Sequence, residues 1–295
     1  MQFPLGKIKP HVGWLALPFA LVFFTYFVLP LVLTIIVSFW DYTDYAIIPD
    51  LIFDNYIYIF DGCPSNEVGL CLTFKTYLST FFFCFFTWLI TLGLGFCVAY
   101  FLAFYVNSIP LQVCLFLICT IPFWTSNVIR MVSWIPLLGR NGLVNEFFLS
   151  LGIIDQPIEW LLYSSFSVIL ALVHLYTLFM IVPIFNSMIR IDRSIVEAAY
   201  DSGATHRQII FNIIIPLSKT GIIIGSIFVV TVVMGDFLTI GIMGGQQLAS
   251  VGKIINTEMN YLQFPGAAAN AVILLIITIF IIYVMTKFID IRKEL

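Results

Sequence analysis

The sequence predicts an all-α integral membrane protein with about six transmembrane helices, and three observations predict it. Of 295 residues, 61% are apolar and only 10% charged, against about 25% charged in an average soluble domain. A water-soluble fold has no interior large enough for that surface, so lipid is its solvent. The apolar residues fall into six runs, near residues 13–39, 77–105, 111–135, 161–185, 217–240 and 266–289, each close to the roughly 20 residues a helix needs to cross a bilayer. An even number of spans puts both termini on one side. With the termini cytoplasmic, that face receives Lys7, Lys9, Arg190, Arg193, Arg207, Lys219, Lys287, Arg292 and Lys293, nine of the thirteen basic residues, which is the bias that orients membrane proteins. The net charge of −3 gives no sign of nucleic-acid binding.

Residues 1–12 form a short cytoplasmic tail and 13–295 the transmembrane domain. Lys7 and Lys9 ahead of an apolar run imitate a signal peptide, but Val12 to Trp40 is too long for one and has no small-residue cleavage site, so it is a retained first span. An external loop, 41–76, holds Asp41, Asp44, Asp50, Asp54, Asp61 and Glu67 with no basic residue before Lys75. Cys63 and Cys71 share this loop and are open to forming a disulfide if it faces an oxidising compartment; the spacing alone does not decide it. Cys84, Cys97, Cys114 and Cys119 lie in apolar runs and are expected as small buried residues. No cysteine pair has zinc-site spacing. Pro and Gly within the runs, such as Pro18, Pro30, Gly93 and Gly95, are compatible with membrane helices because neighbouring spans satisfy the freed backbone groups. Between the third and fourth spans, the external segment 139–160 is too short and polar to cross. There Leu143, Phe147, Phe148 and Leu151 recur at helical spacing, as in an amphipathic helix at the interface.

The longest charged stretch on the proposed inner face is the loop 190–216. Ser194 followed by Glu197 has capping-box spacing, as has Thr205 followed by Gln208, so two short helices are expected. Ala198, Ala199 and Tyr200 continue the first of them. Gly203 stands where the chain must leave that helix, a position that favours the left-handed conformation. Pro216 marks a break at the start of span five. The residues EAAYDSGATHRQIIFNIIIP resemble the signature of type I ABC importer permeases. In that signature Glu-Ala-Ala is followed after three residues by Gly, and after nine more by Ile, any residue, an aliphatic residue and Pro. Those positions are Glu197, Ala198, Ala199, Gly203, Ile213, Ile215 and Pro216. Ile215 replaces the usual Leu, and Thr220 stands where many members carry a second Pro. The resemblance implies a type I importer permease (MetI-like) fold and coupling helices that seat in a cleft of an ATPase subunit, with Glu197 capping and orienting them.

The resemblance extends over about residues 115–290, and within the class it points to spermidine/putrescine permeases. RMVSWIPLLGRNGLVN resembles their third span and following turn, MGDFLTIGIMGGQQ the exit of the fifth, and YLQFPGAAANAV the start of the last. It implies two copies of an ABC ATPase, a second homologous permease subunit and an extracytoplasmic substrate-binding protein, in the bacterial cytoplasmic (inner) membrane. No phosphate-binding G-x-x-x-x-G-K-[ST] loop occurs, so ATP and Mg belong to partner subunits, and no cofactor or catalytic residue is expected in this chain. An extended cation needs acidic and aromatic groups in place of its water shell, which makes Asp236, Glu258, Trp124, Trp134 and Tyr261 the pathway candidates. Each has a structural alternative. Asp236 pairs with Arg130 to lock spans three and five, Glu258 is a solvated or binding-protein contact, and the aromatics are interfacial anchors. Three other readings stand beside this one: the same importer class carrying iron, thiamine, phosphonate or opine, a stand-alone secondary transporter, and an intramembrane enzyme. Only His174 of the three histidines lies in a span, without the partners a nucleophile or metal needs.

Overall fold

The computed structural model describes residues 10–43, 46–60 and 72–287; Cys63 and Cys71 lie outside the described residues. In chain order the helices are α1 (Pro10–Phe23) and α2 (Leu29–Val37), joined by a π-helical turn, then a hairpin of β1 (Asp41–Tyr42) and β2 (Ile47–Ile48), then α3 (Asp54–Phe60). There follow α4 (Leu72–Tyr100), extended by a π turn to Tyr105, α5 (Ile109–Thr120), α6 (Asn127–Val132), α7 (Ile135–Leu138) and α8 (Leu143–Ser150). The second half contains α9 (Ser165–Met188), α10 (Arg193–Asp201), α11 (His206–Ile209), α12 (Ile215–Leu217), α13 (Lys219–Gly235), α14 (Leu238–Met243), α15 (Val251–Asn260) and α16 (Phe264–Thr286).

Four stretches are long and apolar enough to cross a membrane unbroken: Leu17–Val37, Thr73–Tyr105, Glu159–Met188 and Phe264–Thr286. Two more are bent pairs, and with each pair counted as one span the total is the expected six. The third, expected over 111–135, is helical over Ile109–Trp124 and then turns by 91° into Asn127–Ser150. Pro122 interrupts the hydrogen-bond ladder, and Thr125 at φ −95°, ψ 152° is extended. Sixteen residues rise only about 24 Å, short of a ~30 Å hydrocarbon core. The fifth, expected over 217–240, is helical over Lys219–Gly235 and meets the preceding helix at 68°. Pro216 does mark that break: the helix yields at Ser218, whose hydroxyl donates to the carbonyl of Ile214 at 2.6 Å. At its other end the helix stops because Asp236 turns the chain.

The chain divides into two compact units, residues 1–62 with 255–273, and 63–254 with 274–295. In the first, the hairpin pairs Asp41 with Ile48 and Tyr42 with Ile47. Buried Asn55 donates to the carbonyls of Ser38 and Trp40 at 3.0 and 2.8 Å, satisfying backbone groups that the end of α2 leaves free.

In the second unit α4, α9 and α13 pack together. On α4 the buried side is drawn from Thr76, Thr80, Phe83, Cys84, Thr87, Thr91, Ala99 and Leu102, at the three- and four-residue spacing of one helical stripe. Thr80 and Thr91 return their hydroxyls to carbonyls one turn back. Glycines let the helices approach closely. A methyl group at Gly221 would overlap the backbone oxygen of Pro183 and come within 2.6 Å of Ser187 Cβ; one at Gly225 would meet Met180 Sδ at 2.9 Å. Small residues at helix contacts are the usual means of packing in lipid, where no hydrophobic gain separates protein from solvent. Among the cysteines expected to be buried only Cys84 is; Cys97 lies off the buried stripe of α4 and is exposed, while Cys114 is exposed and Cys119 half-buried on α5, which buries no side chain.

The amphipathic helix expected within 139–160 is α8, and Leu143, Phe147 and Leu151 on it are exposed. What holds this segment in shape is fully buried Asn145. Its amide donates to the carbonyls of Gly139 and Ile158, and its oxygen accepts from the N–H of Ile158 at 2.8 Å. Asn145→Ala would strand three part-buried backbone groups, each costing at most about 1–3 kcal/mol and less once water reaches it. We expect faster amide hydrogen exchange across 139–160 in this variant, with α9 unchanged.

Candidate functional site: a two-helix knob and the polar groups of the spans

The loop 190–216 folds as two capped helices joined at Gly203. The first cap differs from the one the sequence suggests. Asp192 supplies it, accepting from the Ser194 N–H at 3.0 Å, and Glu197 is exposed a turn further on. The chain enters the helix two residues earlier than a Ser194–Glu197 box requires, and Asp is as good a cap as Ser. Hydrogen bonds from the backbone and hydroxyl of Ser194 hold the Asp192 carboxyl below its ordinary value. The second cap is the expected one: the Thr205 hydroxyl accepts from the Gln208 N–H, and Gln208 Oε1 accepts from the Thr205 N–H at 2.8 Å. Gly203 has φ +82° and ends α10, its N–H donating to Tyr200 while the next N–H returns to Ala199.

No residue of α10 is buried, and Ile195 and Tyr200 are each nearly half exposed. The helix is nevertheless fixed to the spans. Arg193 donates to Asn107 Oδ1 at 2.5 Å and to the carbonyl of Ala103 at 3.4 Å, both at the end of span two. His206 links α10 to α4, its Nδ1 2.7 Å from the Tyr200 hydroxyl and its Nε2 3.5 Å from that of Tyr100. Ile209 and Ile214, both buried, seat the second helix, while Ile213 is half-buried and Pro216 exposed. Sequence reasoning missed Arg193, Asn107, Tyr100 and His206, since their partners lie up to 106 residues away. Asp192 was legible, two residues before Ser194 at a helix start.

The pathway candidates separate. Asp236 is not paired with Arg130. Its Oδ2 accepts from the Tyr176 and Thr239 hydroxyls, both at 2.6 Å, and its Oδ1 from the Thr239 N–H at 2.9 Å. Arg130 is 7% exposed and donates to Asn127 Oδ1. Trp134 is half-buried and donates to His174 Nδ1 at 3.1 Å. Trp124 is 84% exposed, as an interfacial anchor would be.

Glu258 and Tyr261 belong to the other unit. There both carboxylate oxygens of Glu258 accept from Asn270 Nδ2 at 3.1 Å. Burial raises the Glu258 carboxyl above its ordinary value, and the Asn270 bond partly offsets this. Tyr261 is 73% exposed. Among the described residues no group of three or more His, Cys, Asp or Glu could hold a metal.

A capped two-helix knob thus stands between the fourth and fifth spans. Residues 95–294 match the model of the binding-protein-dependent transport system inner membrane component family, and the chain belongs to that family. It is therefore a multi-pass inner-membrane transport component and not itself catalytic. It is 36% identical over 188 residues to the spermidine/putrescine transport system permease protein PotB of Escherichia coli (strain K12), covering 63% of this chain and 67% of that protein. To the protein of the same name in Haemophilus influenzae it is 33% identical over 185 residues, covering 61% and 64%. The matched region thus spans about two thirds of these relatives. A chain of a bacterial ABC transporter involved in the import of the acidic polysaccharide alginate has the same fold at 17% identity, with a TM-score of 0.70 over 95% of this chain and 96% of that one.

Proposed function

We propose that this chain is the permease subunit of an ATP-driven polyamine importer, forming half of the translocation pathway for spermidine or putrescine. The observation that carries the coupling role is α10. A nine-residue helix with no buried residue, clamped at both ends to the spans, has a free face and a rigid mount, which is what a docking lever needs. In this reading the knob faces the cytoplasm together with both termini and seats on one of two ABC ATPase subunits, which bind ATP and Mg. A second permease subunit completes the pathway, and an extracytoplasmic binding protein delivers the cargo. Closure of the ATPases moves the knob, and the spans alternate between inward and outward opening. The likeness to spermidine/putrescine permeases supports the cargo, and the acidic groups Asp236 and Glu258 suit a cation. Three donors already occupy Asp236, so it acts by its charge and by shaping the turn after span five more than as a direct ligand.

The test is uptake of labelled spermidine into proteoliposomes. ATP-dependent uptake is expected only with ATPase, binding protein and both permease subunits present. Uptake by the single chain without ATP would overturn the reading in favour of a secondary transporter, and a binding protein that holds iron or thiamine in place of polyamine would overturn the cargo.

A further inference from the structure

Between α9 and α13 a furrow of about 690 Å³ starts at the knob and runs along the two spans. Its floor is the close approach of Gly221 to Pro183. The polar side chains that line it, Asn186, Ser187, Arg190, Asp192 and Thr220, are confined to the end near the knob. Deeper in, Val182, Ile224 and Phe228 line it, and no polar side chain accompanies them. Arg190 and Asp192 follow Met188, the last residue of the continuous span four, so the charged mouth stands at the membrane surface. From Arg190 to Val182, and from Thr220 to Phe228, the helical rise is about 12 Å, close to half of a ~30 Å hydrocarbon core. The furrow therefore has the depth of one leaflet.

Its mouth carries one charge of each sign. Arg190 and Asp192 are both exposed, and among the described residues neither makes an ion pair. The Asp192 carboxylate uses one oxygen on the Ser194 N–H and keeps further acceptor positions. A path for a cationic cargo would need acceptors along its length, which the deep end lacks. A cation and an anion at the surface, with an apolar channel one leaflet long behind them, match a zwitterionic lipid from end to end. We infer that this furrow holds a phospholipid with a primary-amine headgroup, its phosphate on Arg190, its ammonium on Asp192 and one acyl chain reaching Phe228. Ile195 of α10 also lines the furrow, so the lipid braces the knob against the spans.

The complete complex, stripped of lipid in detergent, can be titrated with palmitoyl-oleoyl-phosphatidylethanolamine and with the phosphatidylglycerol of the same chains. Dioleoylglycerol supplies tails without a headgroup, and phosphoethanolamine the headgroup without tails; native mass spectrometry is the readout. The ethanolamine lipid should be retained most tightly of the four. Arg190→Gln should weaken its retention about tenfold or more, as expected when a charged donor is lost. Asp192→Asn preserves the helix cap, because Asn caps as well as Asp, and should abolish the preference for ethanolamine over glycerol. Ile224→Trp fills the furrow and should release the lipid with both charges in place. Equal retention of the two phospholipids by the wild type, undiminished retention by Arg190→Gln or Ile224→Trp, tightest binding of either fragment, or a second permease subunit seated in the furrow would each overturn the inference. Should a variant fail to fold, the four ligands on the wild-type complex decide the matter alone.

Discussion

Gly203→Val is expected to leave the chain inserted and the assembled complex hydrolysing ATP, but to lower ATP-driven uptake about tenfold or more. Space at Gly203 is free, but its backbone conformation is restrictive. Nothing lies within 4 Å of where a Cβ would sit at Gly203, yet its φ is +82°. A β-branched residue held in that region costs about 1–3 kcal/mol, enough to make the observed knob a minor state by about tenfold. The strain is relieved by moving α10 and α11 relative to each other, so the lever is misaimed while the spans remain folded. Gly203→Asn is the control, because Asn tolerates the left-handed region. It should retain uptake within about threefold, which corresponds to less than 1 kcal/mol. Normal uptake by Gly203→Val in proteoliposomes would rule out a rigid knob.

Gly221→Ala should be the more damaging change to the fold itself. A single methyl there overlaps the Pro183 oxygen, and backbone cannot swing aside as a side-chain tip can. Overpacking of this kind costs about 1–3 kcal/mol, occasionally more, and here it forces spans four and five apart where Gly221 faces Pro183. Gly93→Ala, also within a span but with nothing within 4 Å of its added carbon, should be neutral or stabilising by about 0.5–1 kcal/mol through helix propensity. Thermal unfolding in detergent, with the yield of monodisperse protein, compares the two. Equal melting temperatures would mean that α9 and α13 are less closely packed than described.

Much of this was legible in the sequence, for identifiable reasons. Span existence follows from hydropathy, which is local and additive along the chain. The second helix cap follows from Thr205 and Gln208, three residues apart, and the left-handed turn from Gly203. Span ends were less legible. Pro122 and Asp236 interrupt helices through single backbone events inside runs that stay apolar, so hydropathy continues past the point where the helix stops. The pairing of Asp236 with Arg130 failed because Tyr176 and Thr239 supply neutral donors closer at hand, and nothing in the sequence spacing reveals that. The clamps on the knob were illegible for the same reason: Arg193 meets Asn107, and His206 meets Tyr100, only after α4 has packed against its neighbours.

Span two is continuous from Thr73 to Tyr105, and its polar ties to the rest of its unit include one near each extremity. Close to one, the Thr80 hydroxyl accepts from the N–H of Val251 at 3.0 Å; at the other, Ala103 and Asn107 hold Arg193. From Thr80 to Ala103 the helical rise is about 35 Å, with little to compress along the way. If α10 is the docking lever proposed above, span two is expected to act as a push-rod that carries an axial displacement of α10 toward the opposite face of the membrane, together with the Val251 segment.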